Sequence, residues 1–475
     1  MSDNGSTGTV TTEQLDAIFK AYDVRGVVPD QLDAGLARAV GNAFVRVTDA
    51  ATVVVGHDMR PSSPALASAF AQGATTAGAD VVLIGLASTD ELYFASGHLD
   101  QPGAMFTASH NPARYNGIKM CRARAVPVGE QTGLGEIRDL VAAGSEHTAE
   151  RAGTVTEQDV LADYAAYLLD LAPVTGRRLK VVADAGNGMA GLTAPAVFER
   201  LDVDLVPLYF ELDGTFPHHE ANPIDPANLV DLQARVRETN ADIGLAFDGD
   251  ADRCFLVDER GETVNPSVLT ALIAARELER HPGSTIIHNL ITSRAVPEIV
   301  TEHGGKPVRT RVGHSFIKGT MAETDAVFGG EHSGHFYFRD FWRADSGMLA
   351  ALHALAALAE GDEPLSTVLA PYARHVQSGE INSEVADQGA VLRTLEEQWG
   401  GREGVGLDHL DGLSVLADDW WFNVRASNTE PLLRLNVEGA DQKTMSRVRD
   451  EVLATIRADG PHDGPGKGSG EGSGD

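Results

Sequence analysis

Three aspartates alternate with small residues in the segment Phe247-Asp-Gly-Asp-Ala-Asp-Arg253. Carboxylates held this close repel one another, and a divalent cation relieves that repulsion. All-oxygen ligation favours Mg²⁺, which keeps open positions for water or a phosphoryl oxygen. A calcium-binding loop is the nearest alternative, but Arg253 takes the sixth position, where that loop needs glycine; a solvated acidic turn is the other alternative. The metal ligands that we predict are Asp248, Asp250 and Asp252.

A second segment places a serine among small and polar residues, Phe106-Thr-Ala-Ser-His-Asn-Pro112. The hydroxyl of Ser109 could accept a phosphoryl group, held by His110 and nearby backbone amides. A seryl phosphate has little driving force to form unless a metal neutralises its charge. An ordinary Ser/Asn/Pro turn that closes a strand explains the same residues when they are taken alone.

A third segment, Phe328-Gly-Gly-Glu-His-Ser-Gly-His335, alternates polar side chains with period two. Glu331, Ser333 and His335 would then face one way, as donors and acceptors for the adjacent hydroxyls of a sugar must. A capped turn made flexible by glycines is the alternative.

The fourth segment, Arg425-Ala-Ser-Asn-Thr-Glu-Pro431, combines a guanidinium with hydroxyl, amide and main-chain donors. That set suits a phosphate dianion, whereas an Asx-type turn beside a surface arginine is the alternative. The predicted phosphate ligands are Arg425, Ser427, Asn428 and Thr429.

The elements that must position these segments alternate between short apolar strands and helices of ten to fifteen residues. This order predicts parallel sheets built from βαβ units, in three α/β domains, and a smaller α+β domain with antiparallel strands after about Ala373. The first three segments follow strands, where the ligands of parallel sheets bind. We predict a flexible N-terminus (1–14), four domains (15–152, 153–256, 257–373 and 374–459) and a disordered glycine-rich tail (460–475).

The four segments together, in this order, resemble the α-D-phosphohexomutase superfamily, in its bacterial phosphomannomutase/phosphoglucomutase branch, from about Ile18 to Ile456. The resemblance implies an α/β fold of three related domains with mixed or parallel sheets, plus a C-terminal α+β domain, around a central cleft. It implies that Ser109 is the phosphorylated nucleophile and joins the three aspartates in holding Mg²⁺. It also implies that Glu331 and Ser333 contact the sugar and that the Arg425 segment grips the non-reacting phosphate.

Other positions match the same family. Lys119 falls where the family carries its general acid/base, and the chain has only 7 lysines. Simple ion pairs of Arg25 with Asp23 or of Arg60 with Asp58, and a surface Lys119, are the alternatives. The matching positions are Tyr22, Arg25, Arg60, His110, Lys119, Arg253, His314 and His335.

The implied reaction interconverts hexose 1-phosphate and hexose 6-phosphate, of mannose, glucose or both, through a phosphoserine and a hexose 1,6-bisphosphate. Phosphoglucosamine mutase shares the four motifs and is the alternative within the family. A metal-dependent phosphatase and a non-catalytic sugar-phosphate sensor are the alternatives from other classes.

Composition limits the partners. The chain has 475 residues and a formal net charge of −31, so its surface repels nucleic acid and anionic lipid. An anionic substrate therefore needs a local cationic pocket. Two cysteines without a disulfide framework and the lack of a secretory signal predict a cytoplasmic protein, which we expect to be a monomer.

Overall fold

The computed structural model describes residues 11–426 and 432–458. They divide into two compact units, one ending at Tyr372 and the other beginning at Ala373. Three sheets belong to the first unit and one to the second.

The first sheet has the order β1-β5-β4-β2-β3-β7, with β6 paired to β5. Strands β2, β3, β4 and β7 pair in parallel, whereas β5 runs antiparallel to β1, β4 and β6. The elements are α1 (Thr12–Ile18), β1 (Asp23–Val27), α2 (Ala34–Thr48), β2 (Thr52–His57), α3 (Ser63–Thr76), β3 (Asp80–Leu86), α4 (Thr89–Leu99), β4 (Gly103–Phe106), β5 (Tyr115–Arg122), β6 (Val126–Pro127), α5 (Leu134–Ala142) and β7 (Val155–Glu157).

The second sheet has the order β12-β11-β10-β8-β9, parallel in β10-β8-β9 and antiparallel in the other pairs. Its β10 is buried at every residue, as expected for a strand covered on both faces. The elements are α6 (Leu161–Leu171), β8 (Leu179–Asp184), α7 (Ala190–Phe198), β9 (Val203–Leu208), α8 (Val230–Thr239), β10 (Ile243–Phe247), β11 (Cys254–Asp258) and β12 (Thr263–Val264).

The third sheet has the order β14-β13-β15-β16-β17, and again only its first three strands are parallel. The elements are α9 (Pro266–Arg280), β13 (Thr285–Asn289), α10 (Ala295–Glu302), β14 (Lys306–Thr310), α11 (His314–Thr324), β15 (Phe328–Gly330), β16 (Phe336–Phe338), β17 (Ala344–Asp345), α12 (Gly347–Ala359) and α13 (Leu365–Leu369).

The second unit contains an antiparallel sheet of order β18-β22-β21-β20-β19. Its own core includes Trp399, Phe422 and Val448, contributed by two helices and a strand. The elements are β18 (Val376–Glu384), α14 (Gln388–Gly400), β19 (Gly406–Asp408), β20 (Leu413–Leu416), β21 (Trp420–Ala426), β22 (Leu432–Gly439) and α15 (Gln442–Ala458).

The predicted fold class, three α/β domains and a C-terminal α+β domain, is confirmed. The segment predicted to be flexible, 1–14, overlaps the first turn of α1, which begins at Thr12. The Thr11 side chain accepts from the backbone of Gln14, and the Gln14 side chain accepts from Thr11 in return. Residues 1–10 and the predicted tail lie outside the described residues.

The three α/β sheets share a feature that the sequence pattern did not reveal. In each, one strand of the parallel set (β4, β10 or β15) is followed by a loop and then by a strand that pairs with it in the antiparallel direction. We name these connections the serine loop (107–114, between β4 and β5), the aspartate loop (248–253, between β10 and β11) and the histidine loop (331–335, between β15 and β16). No helix in the described part of the chain is both long and apolar enough to cross a bilayer.

Candidate active site

The serine loop and the aspartate loop meet at Ser109. Ser109 is 5% exposed, and its Oγ donates to Asp248 Oδ2 over 2.8 Å. Its backbone has φ +50°, a left-handed conformation uncommon for a residue other than glycine. The approach is so close that a Cβ on Gly249 would stand 2.4 Å from the Ser109 carbonyl oxygen. Position 249 therefore requires glycine.

Arg60 supports the serine loop from beneath. Its guanidinium is buried and donates to the backbone carbonyls of Ser109, Asn111, Pro112 and Tyr115 at 2.6–3.0 Å. Asp58, also fully buried, pairs with the Arg60 Nε at 3.1 Å. The ion pair that the sequence offered as an alternative is present, and the same arginine braces the loop.

The aspartate loop presents three fully buried carboxylates, those of Asp248, Asp250 and Asp252. One oxygen of each lies within 4.8 Å of the others. The Oδ1 atoms of Asp250 and Asp252 are buried and accept no hydrogen bond. Closely spaced, unsatisfied carboxylate oxygens fit a hard divalent cation, so the predicted ligand set can hold a metal.

Cations surround these carboxylates. Lys119 Nζ donates to Asp250 at 2.7 Å and to Asp252 at 2.6 Å, and Arg253 Nε donates to Asp248 at 2.8 Å. Lys119 reaches this position because β5 lies between β1 and β4, with Lys119 opposite Asp23 and Met105. The reading of Lys119 as a surface lysine is therefore wrong.

The pKa values reflect a competition between burial and ion pairing. Burial raises the pKa of Asp248 and Asp252 against the pull of Arg253 and Lys119. For Asp250 burial acts in the same direction, but the Lys119 ammonium outweighs it and lowers the pKa. Burial also opposes charge on Lys119, yet the two aspartates raise its pKa well above the ordinary value. Lys119, which lines the same cavity as Ser109, is thus protonated.

His110 lies between the nucleophile and Arg253. Its Nδ1 is 3.2 Å from Ser109 Oγ and 2.5 Å from an Arg253 guanidinium nitrogen. Burial and the Arg253 charge lower the pKa of His110 well below its ordinary value. The neutral ring therefore accepts from Arg253 through Nδ1.

Arg25 is held over the serine loop by two partners. Its guanidinium donates to Asp23 at 2.5 Å and to the Asn111 side chain at 2.6 Å. The Asp23 ion pair is thus present, and the second bond links Arg25 to the loop that carries Ser109.

The histidine loop joins the aspartate loop through its last residue. His335 forms an isolated antiparallel bridge with Arg253, and its Nε2 is 3.8 Å from Asp252 Oδ1. Ser333 Oγ is 2.9 Å from His335 Nδ1. Glu331 is 2% exposed and accepts from the Tyr337 hydroxyl at 2.7 Å and the Asn289 amide at 3.2 Å.

Most of the predicted site residues in the first unit line one cavity of about 210 Å³. Glu331 and Ser333 are not among the residues that line it. The predicted residues that do are Tyr22, Arg25, Ser109, His110, Lys119, Arg253 and His335.

Other predicted residues fall elsewhere. Arg425 belongs to the second unit, where it pairs with Glu380 at 2.7 Å. Ser427, Asn428 and Thr429 lie outside the described residues, and so does the side chain of His314, although its backbone begins α11.

The sequence did not single out three residues that the structure brings to this site. Lys318 and Tyr93 line the same cavity, and Asp345 pairs with Lys318. Asp345, Asp252 and His335 also each have a potential ligand atom within 4.8 Å of the others. The scarcity of lysine could have drawn attention to Lys318; no pattern marks Tyr93 or Asp345, which lie in ordinary helical and strand segments.

Comparison with known proteins extends over nearly the whole described chain. Four family models, one for each domain of phosphoglucomutase/phosphomannomutase, match in order. They are alpha/beta/alpha domain I at residues 16–148, alpha/beta/alpha domain II at 161–261, alpha/beta/alpha domain III at 265–375 and the C-terminal domain at 380–455.

Individual relatives agree with these matches. The chain is 40% identical to phosphohexose mutases of Xanthomonas campestris over 92% of its length and 98% of theirs. It is 39% identical to a phosphomannomutase of Escherichia coli, over 92% of this chain and 99% of that protein. A crystal structure of a phosphoglucomutase/phosphomannomutase family protein from Burkholderia thailandensis superimposes with a TM-score of 0.85 at 34% identity, covering 94% of this chain and 98% of that one. The chain belongs to the phosphoglucomutase/phosphomannomutase family of the α-D-phosphohexomutase superfamily.

Proposed function

We propose that this chain interconverts hexose 1-phosphate and hexose 6-phosphate, of mannose, glucose or both, with Ser109 carrying the phosphoryl group. One observation carries the proposal: the Ser109 hydroxyl lies 2.8 Å from a loop of three buried carboxylates, next to a lysine and an arginine. A phosphoryl group on Ser109 would extend into this cluster of charges.

The aspartate loop would hold Mg²⁺, which offsets the negative charge of the transferring phosphoryl group when it is bound. The donor set fits that ion, since Asp248, Asp250 and Asp252 offer oxygens alone and two of these oxygens have no other hydrogen bond. Arg253 already pairs with Asp248 and would remain beside the phosphoryl group.

In the first transfer, the bond from phosphorus to Ser109 Oγ breaks and a bond from phosphorus to a sugar hydroxyl oxygen forms. Lys119 is protonated and donates its proton to Ser109 Oγ as the phosphoryl group leaves. The proton of the sugar hydroxyl passes to His335, which lines the same cavity. The transition state of phosphoryl transfer is loose, so these proton transfers need good placement more than strong driving force.

The product of the first transfer is a hexose 1,6-bisphosphate. It turns end for end in the site, and its other phosphate returns to Ser109 by the reverse of the same steps. Arg425, Ser427, Asn428 and Thr429 are proposed to hold the phosphate that is not reacting, and Glu331 and Ser333 to bind the sugar hydroxyls.

The experiment that tests this function uses the purified full chain. We expect intact-mass and peptide analysis to find one phosphoryl group, on Ser109, and glucose 1-phosphate or mannose 1-phosphate to be converted to the 6-phosphate in the presence of Mg²⁺. Ser109→Ala should abolish conversion, whereas Ser68→Ala, at an exposed serine of α3 in the same domain, should leave it unchanged. Full activity of Ser109→Ala, or release of inorganic phosphate in place of an isomer, would contradict the proposal.

Phosphoglucosamine mutase is the less supported alternative, because sequence relatives that are 36–40% identical to the chain are named phosphomannomutase, phosphomannomutase/phosphoglucomutase or phosphohexose mutases. Parallel assays with mannose 1-phosphate, glucose 1-phosphate and glucosamine 6-phosphate separate the two. Higher kcat/KM for the glucosamine substrate would favour the alternative.

A further inference from the structure

Lys318 is a buried lysine on the wall of the reaction cavity. It lies on α11 and is 7% exposed. Its ammonium is 2.7 Å from Asp345 and 4.3 Å from the centre of the Tyr93 ring. A lysine is rarely buried without a pairing partner, and here one carboxylate and two aromatic rings, those of Tyr93 and Tyr337, surround the charge.

Lys318 and Lys119 have different ion-pair partners. The partners of Lys119 are Asp250 and Asp252, whose oxygens are also the proposed metal ligands. The partner of Lys318 is Asp345, on β17 and outside the aspartate loop. Metal binding and phosphoryl transfer therefore change the surroundings of Lys119 directly. They affect Lys318 only through Asp345, which has a potential ligand atom within 4.8 Å of those of Asp252 and His335.

Lys318 also lies where two cavities meet. It lines the cavity of about 210 Å³ that contains Ser109 and an adjoining groove of about 840 Å³. Tyr22 and Ser315 border both spaces as well. A bisphosphate that must turn around needs more room than the smaller cavity gives, and the groove beside Lys318 provides it.

We propose that Lys318 binds the hexose 1,6-bisphosphate during its reorientation and prevents its release. This inference rests on the proposed function. The bisphosphate carries two phosphate groups, of which the aspartate loop can engage one at a time, and the chain carries a formal net charge of −31. A fixed cation at the junction of the cavities opposes the repulsion that would expel this anion.

Loss of the intermediate leaves a measurable trace. The phosphoryl group that left Ser109 stays on the sugar, so each bisphosphate that escapes leaves an enzyme with a free Ser109 hydroxyl. That enzyme regains its phosphoryl group only by binding free bisphosphate again, whether released or added. Retention of the intermediate can therefore be read from the phosphorylation state of Ser109, independently of the overall rate.

The test compares Lys318→Met with Lys306→Met, which removes an exposed lysine of the same domain. Each protein is incubated with glucose 1-phosphate and Mg²⁺, after which intact mass and free bisphosphate are measured. We expect Lys318→Met to lose its phosphoserine and release bisphosphate at least about tenfold faster per turnover than the wild type. Added glucose 1,6-bisphosphate should restore its activity, and Lys306→Met should behave like the wild type.

A double variant distinguishes substrate binding from simple neutralisation of Asp345. Lys318→Met/Asp345→Asn leaves no unpaired buried charge, so it also guards against a single variant that does not fold. We expect the double variant to release bisphosphate as fast as Lys318→Met does. Wild-type retention in the double variant, or in a folded Lys318→Met, would overturn the inference. A wild type without phosphoserine or mutase activity would instead refute the proposed function.

Discussion

Two clusters of buried carboxylates lie close together in the first unit, and they differ in what surrounds them. The aspartate loop carries Asp248, Asp250 and Asp252 among ammonium and guanidinium groups. The N-terminus of α4 carries Asp90 and Glu91, which are equally buried; here hydroxyl groups donate to Asp90. Thr89 joins the two clusters, since its Oγ1 donates to Asp250 at 2.5 Å.

The second cluster is held by neutral donors. Asp90 accepts from the Tyr164 hydroxyl at 2.7 Å and from Ser346 Oγ at 2.6 Å, and also from Ser88. Glu91 Oε2 is buried and accepts no hydrogen bond. Burial raises the pKa of Asp90 to about 6 and that of Glu91 to about 8. Within the described residues neither carboxylate has an ion-pair partner.

We propose that the difference separates a reactive cluster, the aspartate loop, from a structural one, at the N-terminus of α4. A buried carboxylate with a cation beside it is stabilised in its ionised form, most strongly at Asp250, and can exchange that cation for another, such as a metal ion. Buried carboxylates with only hydroxyl neighbours avoid the free-energy cost of a buried charge by binding protons. Burial of acidic groups therefore does not identify the site; the neighbouring cations do.

The largest effect is expected when the reactive cluster loses a charge. Asp250→Asn removes a proposed metal ligand and a partner of Lys119, so we expect kcat to fall by roughly a thousandfold, equivalent to ~4 kcal/mol of transition-state stabilisation. Steady-state kinetics and Mg²⁺ titration by calorimetry measure the loss. Asp202→Asn, at an exposed aspartate of the same domain, is the control, and equal kinetics of the two variants would show that the cluster is not catalytic.

Arg60 tests whether a buried cation also supports the architecture of the site. Arg60→Met leaves Asp58 buried without its partner and frees four loop carbonyls, so we expect a loss of about 3–5 kcal/mol in the free energy of unfolding. Urea unfolding measures it. Arg60→Met/Asp58→Asn should recover part of the stability but not the phosphorylation of Ser109, because the serine loop still lacks its support. Full recovery of both stability and Ser109 phosphorylation would mean that Arg60 only neutralises Asp58.

Glu91 of the structural cluster should make the free energy of unfolding depend on pH. Its folded-state pKa of about 8 exceeds the ordinary value of 4.5, so the folded protein binds more protons than the unfolded chain between those values. Wild-type stability must then fall as pH rises through this window, at up to about 1.4 kcal/mol per pH unit. Glu91→Gln removes this dependence. We expect the two proteins to be similar near pH 4.5 and the variant to be more stable by a few kcal/mol near pH 8.

Unfolding free energies measured across that range check the prediction. Asp159→Asn removes a nearby carboxylate that contributes to the raised pKa of Glu91, so it should weaken the pH dependence without abolishing it. An unchanged slope in Glu91→Gln would mean that Glu91 is ionised in the folded protein.

The sequence predicted the reactive cluster better than the structural one. Ser109, Asp248, Asp250 and Asp252 stand in short segments whose composition reflects their chemistry. The approach of Gly249 to Ser109 and the four bonds of Arg60 depend on tertiary contacts between distant segments, which local patterns do not contain.

The same reasoning explains the strands that the sequence analysis missed. Alternating helices and apolar runs predicted parallel strands, and parallel pairs are present in all three α/β sheets. Strand β5, which brings Lys119 to the aspartates, pairs antiparallel on both sides and follows a polar loop. It therefore lacked the βαβ spacing on which the prediction depended. Lys318 was missed because its ion pair is with Asp345, a residue of another element.

Substitution of Ser346 should have the smallest effect on stability, and it tests how hydroxyl donors affect the pKa of Asp90. Its Oγ donates to Asp90 and accepts from the Leu349 backbone as the N-cap of α12. Ser346→Ala should cost about 1–2 kcal/mol of unfolding free energy. The donated bond favours the ionised form of Asp90 and lowers its pKa, so its loss should raise that pKa, and the cost should be larger above about pH 6 than near pH 4.

Asn265→Ala supplies the matched control, because Asn265 is the N-cap of α9 and its side chain bonds to the Ser267 backbone. Its cost should be similar in size but independent of pH in this range, since the cap involves no titrating partner. Chemical unfolding of both variants at about pH 4, 6 and 7 provides the comparison. If both variants lost stability equally at every pH, the hydroxyl of Ser346 would act only as a helix cap. Its bond to Asp90 would then have no effect on the pKa of Asp90.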